Sequence, residues 1–196
     1  MYNLVIVGAG QLGSRHLQGL ALLNCQADIY VVDKNIASLE VAKQRFEEAR
    51  GTTEGDVSVT HLTDIDLLPA HVDVAIIATT SDVRRDIVEF LVKNKAISYF
   101  VLEKVLFNKV DDYAYIQTLL AAKGIKAWVN CSRRVYDCYR QLRTLLRHED
   151  FVALTVEGTN WGLGCNAIHF IDLLAFLSNC SSGLFIDISQ LDAEIL

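Results

Sequence analysis

A short apolar run, Tyr2–Val7, passes directly into Gly8-Ala9-Gly10-Gln11-Leu12-Gly13 and then into a helical pattern. No other stretch restricts the fold as tightly. Between a strand and a helix, Gly8 permits the tight turn, Gly10 lets backbone approach a pyrophosphate, and Gly13 lets helix and strand pack closely. The helix start, with Gln11 and Leu12 beside Gly13, offers unpaired N–H groups and the positive end of a dipole to phosphates. On its own, a G-x-G-x-x-G is often an ordinary glycine turn, and the strand–helix context is what raises this one.

Asp33 stands 20 residues beyond Gly13, at the end of a second apolar run, Asp28–Val32. A carboxylate there accepts hydrogen bonds from adenosine ribose hydroxyls and repels a 2′-phosphate. NAD(H) is therefore the preferred cofactor. Lys34 can pair with a phosphate, which leaves NADP(H) open. The alternative for Asp33 is a turn or helix-cap residue.

Further apolar runs follow at Val57–His61, Val72–Ala78, Tyr99–Leu102 and Lys126–Asn130. Several are nearly continuous in Val, Ile and Leu, as in parallel strands covered on both faces. Between them lie amphipathic stretches such as Val83–Asn94, with Val83, Ile87, Phe90 and Leu91 on one stripe. The alternation predicts α/β architecture, a Rossmann doubly wound parallel sheet over residues 1–130. Residues 131–196 read differently: a helix near Val135–Arg147, an antiparallel-looking strand Phe151–Gly158, a helix from about Asn166, and a last apolar run Leu184–Ile188. This is expected to be an incomplete α+β domain for substrate and oligomer contacts.

Apolar residues make up 52% of the chain, enough for a sizeable core, and 18 basic residues against 24 acidic give a net charge of −6. Without a dense basic cluster, nucleic acid is not an expected partner. No apolar run reaches the roughly 18–20 residues that span a bilayer, and the first residues lack a signal-peptide pattern, so a cytoplasmic protein without membrane contact is expected. The cysteines Cys25, Cys131, Cys138, Cys165 and Cys180 are scattered without a C-x-x-C pair. Neither a metal nor a disulfide framework is predicted.

Glu103-Lys104 ends the fifth strand. Carboxyl ends of strands in such sheets are where ligands bind, so Lys104 is placed to give or take a proton, though a charged pair at a strand end is more often exposed surface. With these residues the chain resembles the glucose–fructose oxidoreductase and inositol dehydrogenase family, the Gfo/Idh/MocA type. The resemblance is carried by VIVGAGQLGSRH, IIATTSDV, LEKV, AAKGIKAWVNCSRR and GLGCNAIHFIDLLAFL, in that order, over about residues 1–177. It implies an NAD(P)-dependent oxidoreductase that moves a hydride between nicotinamide and a hydroxyl or carbonyl carbon of a sugar, cyclitol or sugar derivative. Lys104 is then catalytic or substrate-orienting, Glu103 shapes the cofactor pocket, and Thr79 and Thr80 lie against the cofactor.

The resemblance also places His169 and Asp172 at the substrate, with His169 as a proton-transfer partner; where Cys165 replaces the motif's Asp, neighbouring Asn166 is the candidate to hydrogen-bond a substrate hydroxyl instead. In a helix the spacings of Cys165, His169 and Asp172 put them on one face. Read alone, His169 near an apolar stretch is a core or capping histidine. The chain departs from the family pattern at Val105 (Pro), Cys165 (Asp), Ala167 (Gly) and Arg84 (His in many members). Members continue into a large, mostly antiparallel sheet that usually makes a homo-oligomer interface, so this chain reads as truncated there. A non-catalytic NAD(P)-binding protein, a sensor or partner subunit, is the alternative. A Rossmann module for S-adenosylmethionine is disfavoured by Asp33 and Glu103-Lys104.

Overall fold

The computed structural model describes residues 1–51, 56–160, 162–180, 182–183 and 185–189. The chain divides into two compact units, Met1–Asn130 and Cys131–Leu196. The first runs β1 (Tyr2–Val7), α1 (Gln11–Leu20), β2 (Ala27–Val32), α2 (Ile36–Arg50), β3 (Val57–Leu62), β4 (His71–Ile77), α3 (Ser81–Asn94), β5 (Ala96–Leu102), α4 (Val110–Ala122) and β6 (Lys126–Val129). All six strands pair in parallel, in the order β3-β2-β1-β4-β5-β6. This is the Rossmann arrangement expected from the alternating pattern.

The continuous apolar run of β1 serves two cores at once. Its side chains alternate across the sheet, so Val5 and Val7 join Val88 and Leu91 of α3 and Ile116 and Leu120 of α4 on one face. Ile6 points the other way, to Leu17 of α1 and Leu39, Ala42 and Phe46 of α2. Val5 and Ile6 are both fully buried, each stabilising the fold by roughly 1.5–3 kcal/mol. The chain winds outward from β1 through β2 to β3, then returns to lay β4 on the other side of β1. That reversal opens a crevice beyond the carboxyl ends of β1 and β4.

The second unit holds a 3₁₀ turn (Ser132–Val135), α5 (Asp137–Leu146) and α6 (Leu163–Leu177). Arg134 Nε donates to Asp172 Oδ2 at 2.6 Å, and Arg143 donates to Asn179 Oδ1 at 2.6 Å. Arg133 lies 4.5 Å over the Phe170 ring and Arg143 lies 4.6 Å over Phe176, so cation–π contacts reinforce the packing of the 3₁₀ turn and of α5 on α6.

Three sequence expectations are corrected here. Phe151–Gly158 forms no strand, although Val152, Leu154 and Val156 are the half-buried members of an alternating pattern; alternation reports burial, and no partner strand pairs with it among the described residues. Val135–Arg147 splits into the 3₁₀ turn and α5, and α6 starts at Leu163, ahead of Asn166. Residues 185–188 are not in a ladder, with Phe185, Ile186 and Ile188 exposed, while Leu184 lies outside the described residues. No described helix is long and apolar enough to cross a membrane.

Candidate functional site

Five chain segments meet at the carboxyl edge of the sheet, and hydrogen bonds carry the parallel ladder past the strand ends. Gly8 N donates to Val32 O, Asp33 N to Leu62 O, Ala78 N to Val7 O, Glu103 N to Ile77 O and Asn130 N to Leu102 O, at 2.8 to 3.1 Å. Each residue that follows a strand is therefore fixed at one level, along one rim.

Two of the three fingerprint glycines are forced by the protein itself. Gly8 has φ +93°, and a Cβ there would lie 2.9 Å from Thr79 N. A Cβ on Gly13 would lie 1.7 Å from Gly8 O, so α1 touches the turn backbone to backbone. Gly10 differs. It is the N-cap of α1 with φ −61°, no side chain caps the helix, and a Cβ there would meet nothing within 4 Å. Its helix start faces an open cleft of about 210 Å³, lined by Ala9, Gly10, Gln11, Ser14, Ala37, Ser38, Val41 and Arg45. Arg45 donates to Gln11 Oε1 at 2.9 Å and Ser14 Oγ at 2.5 Å, bracing α2 on α1.

Asp33 is half-buried, and its carboxylate accepts from Ala9 N at 2.7 Å and from Asn35 N at 2.8 Å. It ties the glycine turn to the end of β2 and shapes the turn before α2, whose cap is Asn35. The carboxylate oxygens retain lone pairs for a hydroxyl donor. Lys34 beside it is exposed.

Across the crevice, Thr79 follows β4 and Thr80 is the N-cap of α3. Thr79 Oγ1 is buried and has no hydrogen-bond partner among the described residues. A buried hydroxyl left unmatched at the glycine turn suits a ligand that supplies a polar atom there. The open space over Gly10 and the free helix start suit a pyrophosphate, so the residues present fit a dinucleotide.

Glu103 is 3% exposed and accepts from His16 Nε2 at 2.7 Å and Asn130 Nδ2 at 2.6 Å. Burial pushes its carboxyl up, but the hydrogen bonds from His16 and Asn130 and the nearby His16 charge outweigh that and hold it below the usual glutamate value. Lys104 is half-buried, and the Lys104–Val105 peptide bond is cis. Sequence reasoning missed His16, Asn130 and Arg45. His16 lies three residues after Gly13, and that helical spacing was the available signal; its partner Glu103 is 87 residues away in the chain.

In the second unit α6 carries exposed Cys165 and half-buried Asn166, His169 and Asp172. Helical spacing does put Cys165, His169 and Asp172 on one face. Asp172, however, is held by Arg134, a partner sequence reasoning did not assign. Among the described residues no group of three His, Cys, Asp or Glu side chains could hold a metal ion.

Sheet order, crevice and glycine turn together define a Rossmann-type nucleotide-binding α/β unit. Residues 2–131 match the oxidoreductase family with an NAD-binding Rossmann fold, and the chain belongs to that family, the Gfo/Idh/MocA type. No curated protein matches the sequence. Among solved structures, it is similar to myo-inositol 2-dehydrogenase from Lactobacillus plantarum, with 16% identity and a TM-score of 0.68, covering 91% of this chain and 56% of that one. The myo-inositol dehydrogenase from Lactobacillus casei, solved with NAD(H) and myo-inositol, gives 18% and 0.65, covering 91% and 55%. The WlbA (WbpB) dehydrogenase from Thermus thermophilus, solved with NAD and UDP-GlcNAcA, gives 20% and 0.65, covering 90% and 63%. The chain thus spans a little over half the length of these relatives, and at such identities the likeness concerns the fold.

Proposed function

We propose that residues 1–130 hold NAD(H) in a dehydrogenase acting on a secondary hydroxyl or carbonyl of a sugar, cyclitol or sugar derivative, and that residues 131–196 begin its substrate and oligomer-forming domain. The observation that carries the reading is the shared rim: Gly10, Asp33, Thr79 and Lys104 all follow strands at one edge of one crevice. Dehydrogenase relatives solved with NAD and with inositol or a UDP-sugar support the substrate class.

The cofactor, when bound, supplies the hydride acceptor or donor. Gln11, Leu12 and Gly13 offer main-chain N–H groups to its phosphates at the start of α1. Asp33 accepts from the adenosine ribose and disfavours a 2′-phosphate, so NAD(H) is bound ahead of NADP(H); exposed Lys34 softens that preference. Thr79 gives its unmatched hydroxyl to the bound dinucleotide, with Thr80 next to it. Glu103, buried and anionic, holds the end of β5 against α1 through His16 and so fixes the base of Lys104. Lys104 handles the proton of the reacting hydroxyl. His169 is a second proton carrier, and Asn166 and Asp172 orient the substrate from the second unit.

The second reading is a cofactor-binding protein without turnover, in which Arg134 and Asp172, paired through one carboxylate oxygen, serve only to pack the second unit. Replacing Lys104 with Ala separates the two. In a dehydrogenase, assayed with the full protein on a panel of polyols and sugars, turnover falls by about 10²-fold or more while affinity for ADP-ribose, which probes the cofactor site away from the nicotinamide, stays within about twofold. Wild-type protein that binds NADH and turns over nothing on the panel would favour the second reading.

A further inference from the structure

Arg84, in the first turn of α3, is the largest of the fully buried side chains and is 2% exposed. Among the described residues its guanidinium is spent on main-chain carbonyls rather than on a carboxylate. Nη1 donates to Val105 O and, at 2.9 Å, to Leu106 O, while Nη2 donates to Thr79 O. These acceptors belong to two different segments. Thr79 follows β4, whereas Val105 and Leu106 follow Lys104 beyond β5, and the two strands are neighbours with Ile77 opposite Leu102. The Thr79 segment in turn rests against the glycine turn, close enough that a Cβ on Gly8 would collide with Thr79 N.

A buried guanidinium is costly to desolvate, and an apolar side chain of similar volume would fill the space without that cost. What an apolar residue lacks is a planar fork of donors able to bridge two loops. The charged and titratable groups around Arg84 are Glu103, Tyr113 and Asp82. Burial draws the guanidinium below its ordinary value, and these three groups act against the shift.

We propose that Arg84 is a positioning residue for Lys104: by bonding the segment after Lys104 to the segment of Thr79, it sets where the ammonium stands at the nicotinamide end of the crevice. The inference rests on the cofactor reading above and adds to it the device that joins the two cofactor-facing loops.

The test compares wild type, Arg84→Lys and Arg84→Met for binding of NADH and of ADP-ribose, which lacks the nicotinamide. The expected result is a Kd for NADH raised about tenfold in Arg84→Met and less in Arg84→Lys, with the Kd for ADP-ribose within about twofold of wild type in both. In parallel, NADH slows acylation of the Lys104 amine in the wild type, read by peptide mass, and protects it less in the variants. Should Arg84→Met fail to fold, Arg84→Lys, which keeps the charge but not the fork, carries the same readout. Parallel losses for both ligands, or no loss for either, overturn the positioning role alone. A wild-type chain that binds neither ligand overturns the cofactor reading, and this inference with it.

Discussion

Gly10 and Gly13 belong to one short turn, yet the same substitution is expected to act on them in opposite ways. In Gly13→Ala the new Cβ would lie 1.7 Å from Gly8 O and 2.8 Å from Gly8 C. That is about 1.6 Å short of the roughly 3.3 Å at which close C···O contacts occur. Both obstacles are backbone, so no rotamer change relieves them, and α1 must lift off the turn. Forcing atoms into a packed site costs about 1–3 kcal/mol, and this one falls at the upper end or beyond because the neighbour cannot rotate away. At about 2–4 °C per kcal/mol for a chain of this size, Tm falls by roughly 6–12 °C. In Gly10→Ala the backbone, at φ −61°, already suits alanine and the Cβ enters open space. Its unfolding free energy is expected to change by less than about 0.5 kcal/mol. Only an external occupant gives Gly10 a reason to lack a side chain, so Gly10→Ala weakens NADH binding by about tenfold or more while leaving the fold intact. Urea unfolding and NADH titration of both variants make the comparison. A Gly13→Ala protein as stable as wild type would refute the packing argument, and a Gly10→Ala protein that binds NADH normally would refute the assignment of the cleft.

Two further outcomes follow from individual contacts. Glu103 has its carboxyl lowered by folding, so its stabilisation is complete above the ordinary glutamate value and is lost as pH falls through the lower, folded value. Glu103→Gln should cost about 1–2 kcal/mol near neutrality and flatten the acid limb of a stability–pH curve; an unchanged limb would mean that the His16 and Asn130 bonds do not hold the anion. Asp172→Asn should cost only about 0.5–1 kcal/mol by chemical denaturation, since the Arg134 partner is 45% exposed, and a loss several times larger would show that the pair organises the second unit.

The first unit was legible because its central strands are covered on both faces. A run such as Tyr2–Val7 has no polar side to confuse the reading, and the glycines fixed where the first strand hands over to α1. Phe151–Gly158 was misread because period-two alternation records which side chains are sheltered, and says nothing about whether a neighbouring strand exists to pair with. The site was legible only in its local parts. Gly8, Gly13 and Asp33 act through residues close in the chain or on the next strand, and their spacing carries that. Glu103 acts through His16 and Asn130, and Arg84 through carbonyls that any residue could present, so nothing in the residue types announced either arrangement. Arg84 stood out in the sequence only as a departure from the resembling family. Asp172 was assigned from a motif, and the motif does not include Arg134, which comes from a different helical turn 38 residues earlier.

Titration of the purified chain with NADH and NADPH, followed by nicotinamide fluorescence, tests the central claim most directly. The account predicts saturable binding of both with NADH the tighter, and loss of that preference in Asp33→Ala. A folded, monodisperse sample that binds neither dinucleotide would contradict it.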